Sequence, residues 1–94
     1  MAEDKIINGV DVEAVEGLIQ SVQEKPDLAK CKFRVNNEWV EAGHNRTTVT
    51  GFYGAGQEIS HDKQFFLEAD EPPILAGKDK APNPVEHLLN ALTS

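Results

Sequence analysis

One cysteine, one tryptophan, one tyrosine and nine basic residues in 94 leave several functions little to work with. Cys31 has no second thiol to pair with, so no internal disulfide is expected, which fits a reducing compartment. A lone cysteine also gives no thiolate cluster for a metal. Sixteen acidic residues against nine basic ones leave a formal net charge of −7. That sign argues against nucleic acid and against anionic membrane surfaces, and serves solubility. No apolar run approaches the length of a membrane span. No repeat and no low-complexity tract interrupts the chain. Met1-Ala2-Glu3-Asp4-Lys5 is polar and acidic, unlike a secretion signal, so a cytoplasmic location is expected. Asn45-Arg46-Thr47 fits the glycosylation pattern, but in that location it reads as chance.

What the chain does have is punctuated amphipathic pattern. Its length suits one domain or part of one, with a thin core. Residues 1–10 read as a flexible N-terminus. From Asp11 to Glu24, Val15, Leu18, Ile19 and Val22 make one apolar stripe with Glu13, Glu16, Gln20 and Gln23 outward, which predicts a helix. Asp11 suits its N-cap, and Lys25-Pro26 stops it. Residues 31–69 predict three antiparallel strands. Cys31, Phe33 and Val35 alternate with Lys32 and Arg34; Asn36-Asn37 is a bulge or a tight turn; Trp39-Val40 resumes the apolar signal. Arg46–Phe52 is rich in threonine and valine, and Gln64–Ala69 centres on Phe65-Phe66-Leu67. Asp70-Glu71-Pro72-Pro73 ends the last strand. Asn83-Pro84-Val85-Glu86 is a strong helix start, with a cap, a first-turn proline and a capping-box acid. Val85, Leu88, Leu89 and Leu92 follow at helical spacing up to Ser94, with no closing glycine, lysine or proline. That pattern is expected of a piece of a longer protein, or of one that borrows core from a partner. Helix, three strands and helix make an α+β order.

Few constellations could carry chemistry. Gly51-Phe52-Tyr53-Gly54-Ala55-Gly56 has neither common phosphate-loop spacing, no Lys-Ser/Thr after it and no helix there, so it reads as a turn or bulge. His44, His61 and His87 do not pair at metal spacing, and neither metal nor cofactor is expected. Cys31 lies between Lys30 and Lys32, which favours a thiolate, yet it begins the inward face of a strand, where inert cysteines are common. Arg46 sits at a strand start among Gly43, His44, Asn45, Thr47 and Thr48. Its planar fork suits a carboxylate or a thiolate, although unaided the position reads as a solvated strand residue.

The run Pro82-Asn83-Pro84-Val85-Glu86-His87-Leu88-Leu89-Asn90-Ala91-Leu92-Thr93-Ser94 resembles the start of the central helix in the OsmC/Ohr family of osmotically inducible and organic hydroperoxide resistance proteins. Ala42–Val49 and Gly51–Gly56 resemble an OsmC-like branch with an extra N-terminal helix. The resemblance runs from about Asp11 onward and implies the N-terminal half of such a fold, incomplete here. It implies a cysteine-based peroxidase that attacks an organic hydroperoxide as thiolate and is resolved by a second thiol, with a dithiol as reductant. The family's reactive cysteine lies about three turns into the central helix, immediately past Ser94. Arg46 matches the thiolate-stabilising arginine. The family's acid directly after the helix-opening proline is Val85 here, with Glu86 one place later, about 100° around the helix. Glu86 is therefore a weaker catalytic candidate than a helix cap. An intertwined homodimer is implied, without nucleic acid or membrane. A non-catalytic dimerising or binding module of the same fold is the alternative. Neither alternative gives the 94 residues peroxidase activity alone.

Overall fold

The computed structural model describes residues 5–94 and shows an α+β chain of two helices and antiparallel sheets. Residue proximity gathers it into two compact units. One runs up to Phe33 and takes in Phe52–Ile59; the other comprises Arg34–Gly51 and Ser60–Ser94. No helix among the described residues is long and apolar enough to cross a membrane.

The first unit opens with a hairpin, β1 (Ile6–Ile7) and β2 (Val10–Asp11), which pair antiparallel. Asn8 and Gly9 between them both have positive φ, at 52° and 79°, the conformation that a two-residue hairpin turn needs and that Asn-Gly adopts readily. The residues before Asp11 were expected to hold no element, so this hairpin is a difference; the part of that segment before Lys5 lies outside the described residues. The helix α1 (Val12–Glu24) follows, with Asp11 Oδ1 accepting from the Ala14 N–H at 3.1 Å. The predicted helix and its cap are therefore both present. Pro26 cannot continue it and opens a 3-10 turn over Pro26–Ala29. The strand β3 (Lys32–Phe33) then pairs with the end of β5 (His44–Gly54), where Phe33 and Phe52 stack with centroids 5.2 Å apart.

In the second unit, β4 (Asn36–Glu41) lies antiparallel to β5, with Glu38 opposite Arg46 and Trp39 opposite Asn45. The register shifts between Trp39 and Glu41, and the Trp39 indole N–H donates to the Ala42 carbonyl at 2.8 Å across the turn. The long β6 (Gln57–Ala69) pairs with the other side of β5. Three strands were expected between residues 31 and 69, and the sheet has four. One break adds the extra strand, and a separate signal lengthens β6. The break between β3 and β4 falls at Arg34-Val35, and Asn36 and Asn37, expected to bulge or turn, are regular residues of β4 opposite Thr48 and Thr47. The polar residues 57–63, which carry little apolar alternation, join β6 because the Ala55-Gly56 turn feeds them straight back along β5. Ala55 and Gly56 both have positive φ, at 50° and 76°. Positive φ also occurs at Ala42, Ala76 and Asp79.

After β6 the chain folds back over Asp70, turns through a 3-10 helix at Pro73–Leu75, and enters α2 (Pro84–Thr93). The predicted capping box is complete: Asn83 Oδ1 accepts from the Glu86 N–H at 2.8 Å, and Glu86 Oε1 accepts from the Asn83 N–H at 3.0 Å.

Burial is sparse. Among the described residues only Gly54, Ala69 and Asp70 are buried. Trp39 is 75 % exposed and Leu92 73 %, and the stripes of both helices are largely uncovered. A fully buried aliphatic or aromatic side chain is worth about 1.5–3 kcal/mol, and these faces leave most of that unrealised.

Candidate functional site

The alternation of a strand sets which side chains of β5 meet. His44 and Arg46 share one face; Asn45 and Thr47 share the other. Both pairings are realised. On the first face, Glu68 of β6 accepts from His44 Nε2 at 2.8 Å and from Arg46 Nη2 at 3.3 Å, both on the same oxygen, Oε1. The His44 side chain is only 15 % exposed, whereas that of Arg46 is 50 % exposed. The His44 hydrogen bond is the chief reason that the Glu68 carboxyl lies below the usual glutamate range; burial opposes it, and Arg46 adds to it. An ionised Glu68 only accepts, so His44 Nε2 carries the proton in this contact. A hollow of about 220 Å³ is lined by Arg46, Phe66 and Glu68.

On the second face, the Asn37 side-chain amide donates to Asn45 Oδ1 at 2.8 Å and to Thr47 Oγ1 at 2.9 Å. The start of α2 comes to this side, where Pro84 and His87 line a cleft of about 340 Å³ with Val35, Asn45, Thr47 and Leu67. His87 Nε2 lies 2.6 Å from the Glu68 carbonyl oxygen. A carbonyl only accepts, so His87 donates and its tautomer is fixed. Arg46 and the first turn of α2 thus belong to opposite faces of the β5–β6 pair.

Asp70 comes directly after β6 and is fully buried. Burial pushes its carboxyl up, but backbone N–H groups outweigh that and hold it below the usual range. Glu71 donates to Oδ1 at 2.7 Å and Lys80 to Oδ2 at 3.1 Å, with Lys78 contributing a further backbone donor. Asp70 in turn sends its own N–H to the Pro82 carbonyl at 3.2 Å, so one residue orders the return of the chain. Lys78 pairs with Glu41, which lowers the Glu41 carboxyl and raises the Lys78 ammonium.

The other candidates fall as follows. Glu86 spends its carboxylate on the helix cap. Cys31 is exposed and lines an apolar cleft of about 370 Å³ in the first unit with Leu18, Val22, Leu28, Phe52 and Ile59. His61 packs edge-on to Phe65, with centroids 5.2 Å apart. Among the described residues no group of three His, Cys, Asp or Glu side chains is placed to hold a metal. Glu68 and Asp70 carry most of the local geometry, yet neither stood out in the sequence. For Glu68 a signal was present: His44-x-Arg46 places an imidazole and a guanidinium on one strand face, which an acid on the adjacent strand would join. No protein-family model matches this chain, and no curated protein does.

Proposed function

We propose that the chain is the dimer-forming half of an OsmC-like α+β protein, in which Arg46 serves a thiolate that comes from a second chain. The observation that carries this reading is the pairing of exposed apolar faces on nearly every element with a sparse interior. Such surface is costly in water and characteristic of association. The face of Arg46 supports an in-trans role: its own α2 begins on the other side of the β5–β6 pair, so the helix cysteine that the resemblance implies past Ser94 would reach Arg46 from a partner. Thiol-dependent reduction of organic hydroperoxides, the activity implied by the resemblance, is not assigned to Cys31, because Cys31 lies beside β3 and lines an apolar cleft, away from the helix that carries the reactive thiol in that family.

Two measurements test the reading. Sedimentation at micromolar concentration should find an oligomer, or a partly unfolded chain at low concentration; a compact, cooperatively unfolding monomer contradicts it. The 94 residues, supplied with a dithiol and an organic hydroperoxide, should consume no peroxide, and consumption abolished by Cys31→Ser overturns the assignment. A second reading, a non-catalytic dimerising or binding module, is favoured by one observation: Val85 stands where the family's acid would be, while Glu86 is committed to the capping box.

A further inference from the structure

We propose that Glu68 is the positioning residue for Arg46, held in its own place by His44. Arg46 is a long, half-exposed side chain on a strand, and nothing about its position alone fixes where its guanidinium points. Glu68 supplies the fix. Its Oε1 takes one Arg46 donor at 3.3 Å and the His44 Nε2 donor at 2.8 Å, so the flexible cation and the nearly buried imidazole share one oxygen. The His44 ring is the stiff member of the trio: it has two torsions and little exposed surface. It therefore orients the carboxylate, and the carboxylate orients the guanidinium. The Arg46 contact is monodentate. It uses one of the five N–H donors of the fork and leaves the remainder for an anion.

The groups around this trio come from every neighbouring element. Glu41 and Glu38 of β4 stand opposite His44 and Arg46 in the register, Asp70 comes directly after β6, and His87 of α2 holds the Glu68 main chain through its carbonyl. Asp70 and Glu41 both feel the charge of His44, so the imidazole is set among three carboxylates. The Glu68 carboxyl titrates below the ordinary glutamate range. Arg46 should therefore remain held at neutral pH and be released only on acidification beyond that range.

What an ordered Arg46 is for rests on the reading above, but the order itself is measurable without it. In the full, isotope-labelled chain, Arg46 should give resolved, slowly exchanging guanidinium resonances. Glu68→Gln should collapse them to the averaged signal of a freely rotating guanidinium and speed modification of Arg46 by phenylglyoxal several-fold. Glu68→Asp should restore part of the order. Acidifying the parent should reproduce the Glu68→Gln spectrum, and acidifying the variant should change nothing further at Arg46. Unchanged resonances and an unchanged modification rate in a folded Glu68→Gln chain overturn the proposal. If that variant does not fold, the acid titration of the parent decides: loss of Arg46 order ahead of unfolding supports the proposal, and order that persists until the chain unfolds overturns it. A negative result here leaves the association and peroxide tests intact, and their failure leaves this one intact.

Discussion

The unit around α1 and the unit around Asp70 are organised by different kinds of atoms. Around α1, a hollow of about 370 Å³ is walled by Leu18, Val22, Leu28, Cys31, Phe52 and Ile59. Its order comes from a hairpin, a capped helix and a stacked phenylalanine pair, all close in sequence or in adjoining strands. Around Asp70, a buried carboxylate collects backbone N–H groups from a loop that returns ten residues later. The contrast shows how a thin core can be ordered without much apolar burial. A carboxylate that accepts several backbone donors fixes a loop by direction, where side-chain packing would fix it by volume.

Gly77→Ala should be the most damaging way to probe that contrast. A Cβ there would fall 1.8 Å from the Glu71 carbonyl oxygen, so the loop over Asp70 has to open to admit it. A loss of about 3 kcal/mol is expected by chemical denaturation, at the upper end of overpacking effects. A loss under about 1 kcal/mol would show that the loop adapts and that direction matters less than stated.

Acidification sharpens the comparison next. Glu41, Glu68 and Asp70 all have carboxyls below their ordinary values, and all belong to the second unit. A depressed folded-state pKa contributes stability that is fully present above the unfolded value, about 3.9 for Asp and 4.3 for Glu, and is lost as pH falls through the folded one. Hydrogen exchange at falling pH should therefore show residues 70–82 losing protection while α1 keeps its own. Asp70→Asn should lower protection of that loop at neutral pH and flatten its acid dependence. Simultaneous loss in both units would erase the distinction drawn here.

Gly17→Ala should have the smallest effect and the opposite sign. Gly17 lies inside α1 with nothing within 4 Å of an added Cβ. Removing its backbone freedom should stabilise the chain by about 0.5–1 kcal/mol, read as a higher denaturation midpoint.

Local chemistry was the legible part of this sequence. Asp11 and Asn83-Pro84-Val85-Glu86 announce their helices because a cap needs only residues three apart. Asn8-Gly9 carried an equally local signal for the β1–β2 hairpin, and a polar, acidic neighbourhood masked it. The polar half of β6 was not legible, since nothing in Gln57–Lys63 alternates; those residues form a strand because β5 lies beside them. The site divides the same way. Arg46 is legible as an arginine at a strand start whose fork suits an anion, although unaided it reads as a solvated strand residue, whereas its partner Glu68 lies 22 residues away and becomes its neighbour only through strand pairing. Asp70 looked like a strand terminator, and its burial depends on a loop that no local rule predicts.

The left-handed alanines bear on the order in which the chain folds. Ala42, Ala55 and Ala76 hold positive φ at 48°, 50° and 66°, a region that disfavours an L side chain by roughly 1–2 kcal/mol. Turns built on such residues have no reason to persist in the unfolded ensemble, whereas Asn8-Gly9 suits its turn without help. The turn of the N-terminal hairpin is therefore favoured locally, before the rest of the chain is in place. The β4–β5 and β5–β6 connections must wait until cross-strand hydrogen bonds hold their ends together, which makes these bends products of strand pairing rather than its seeds.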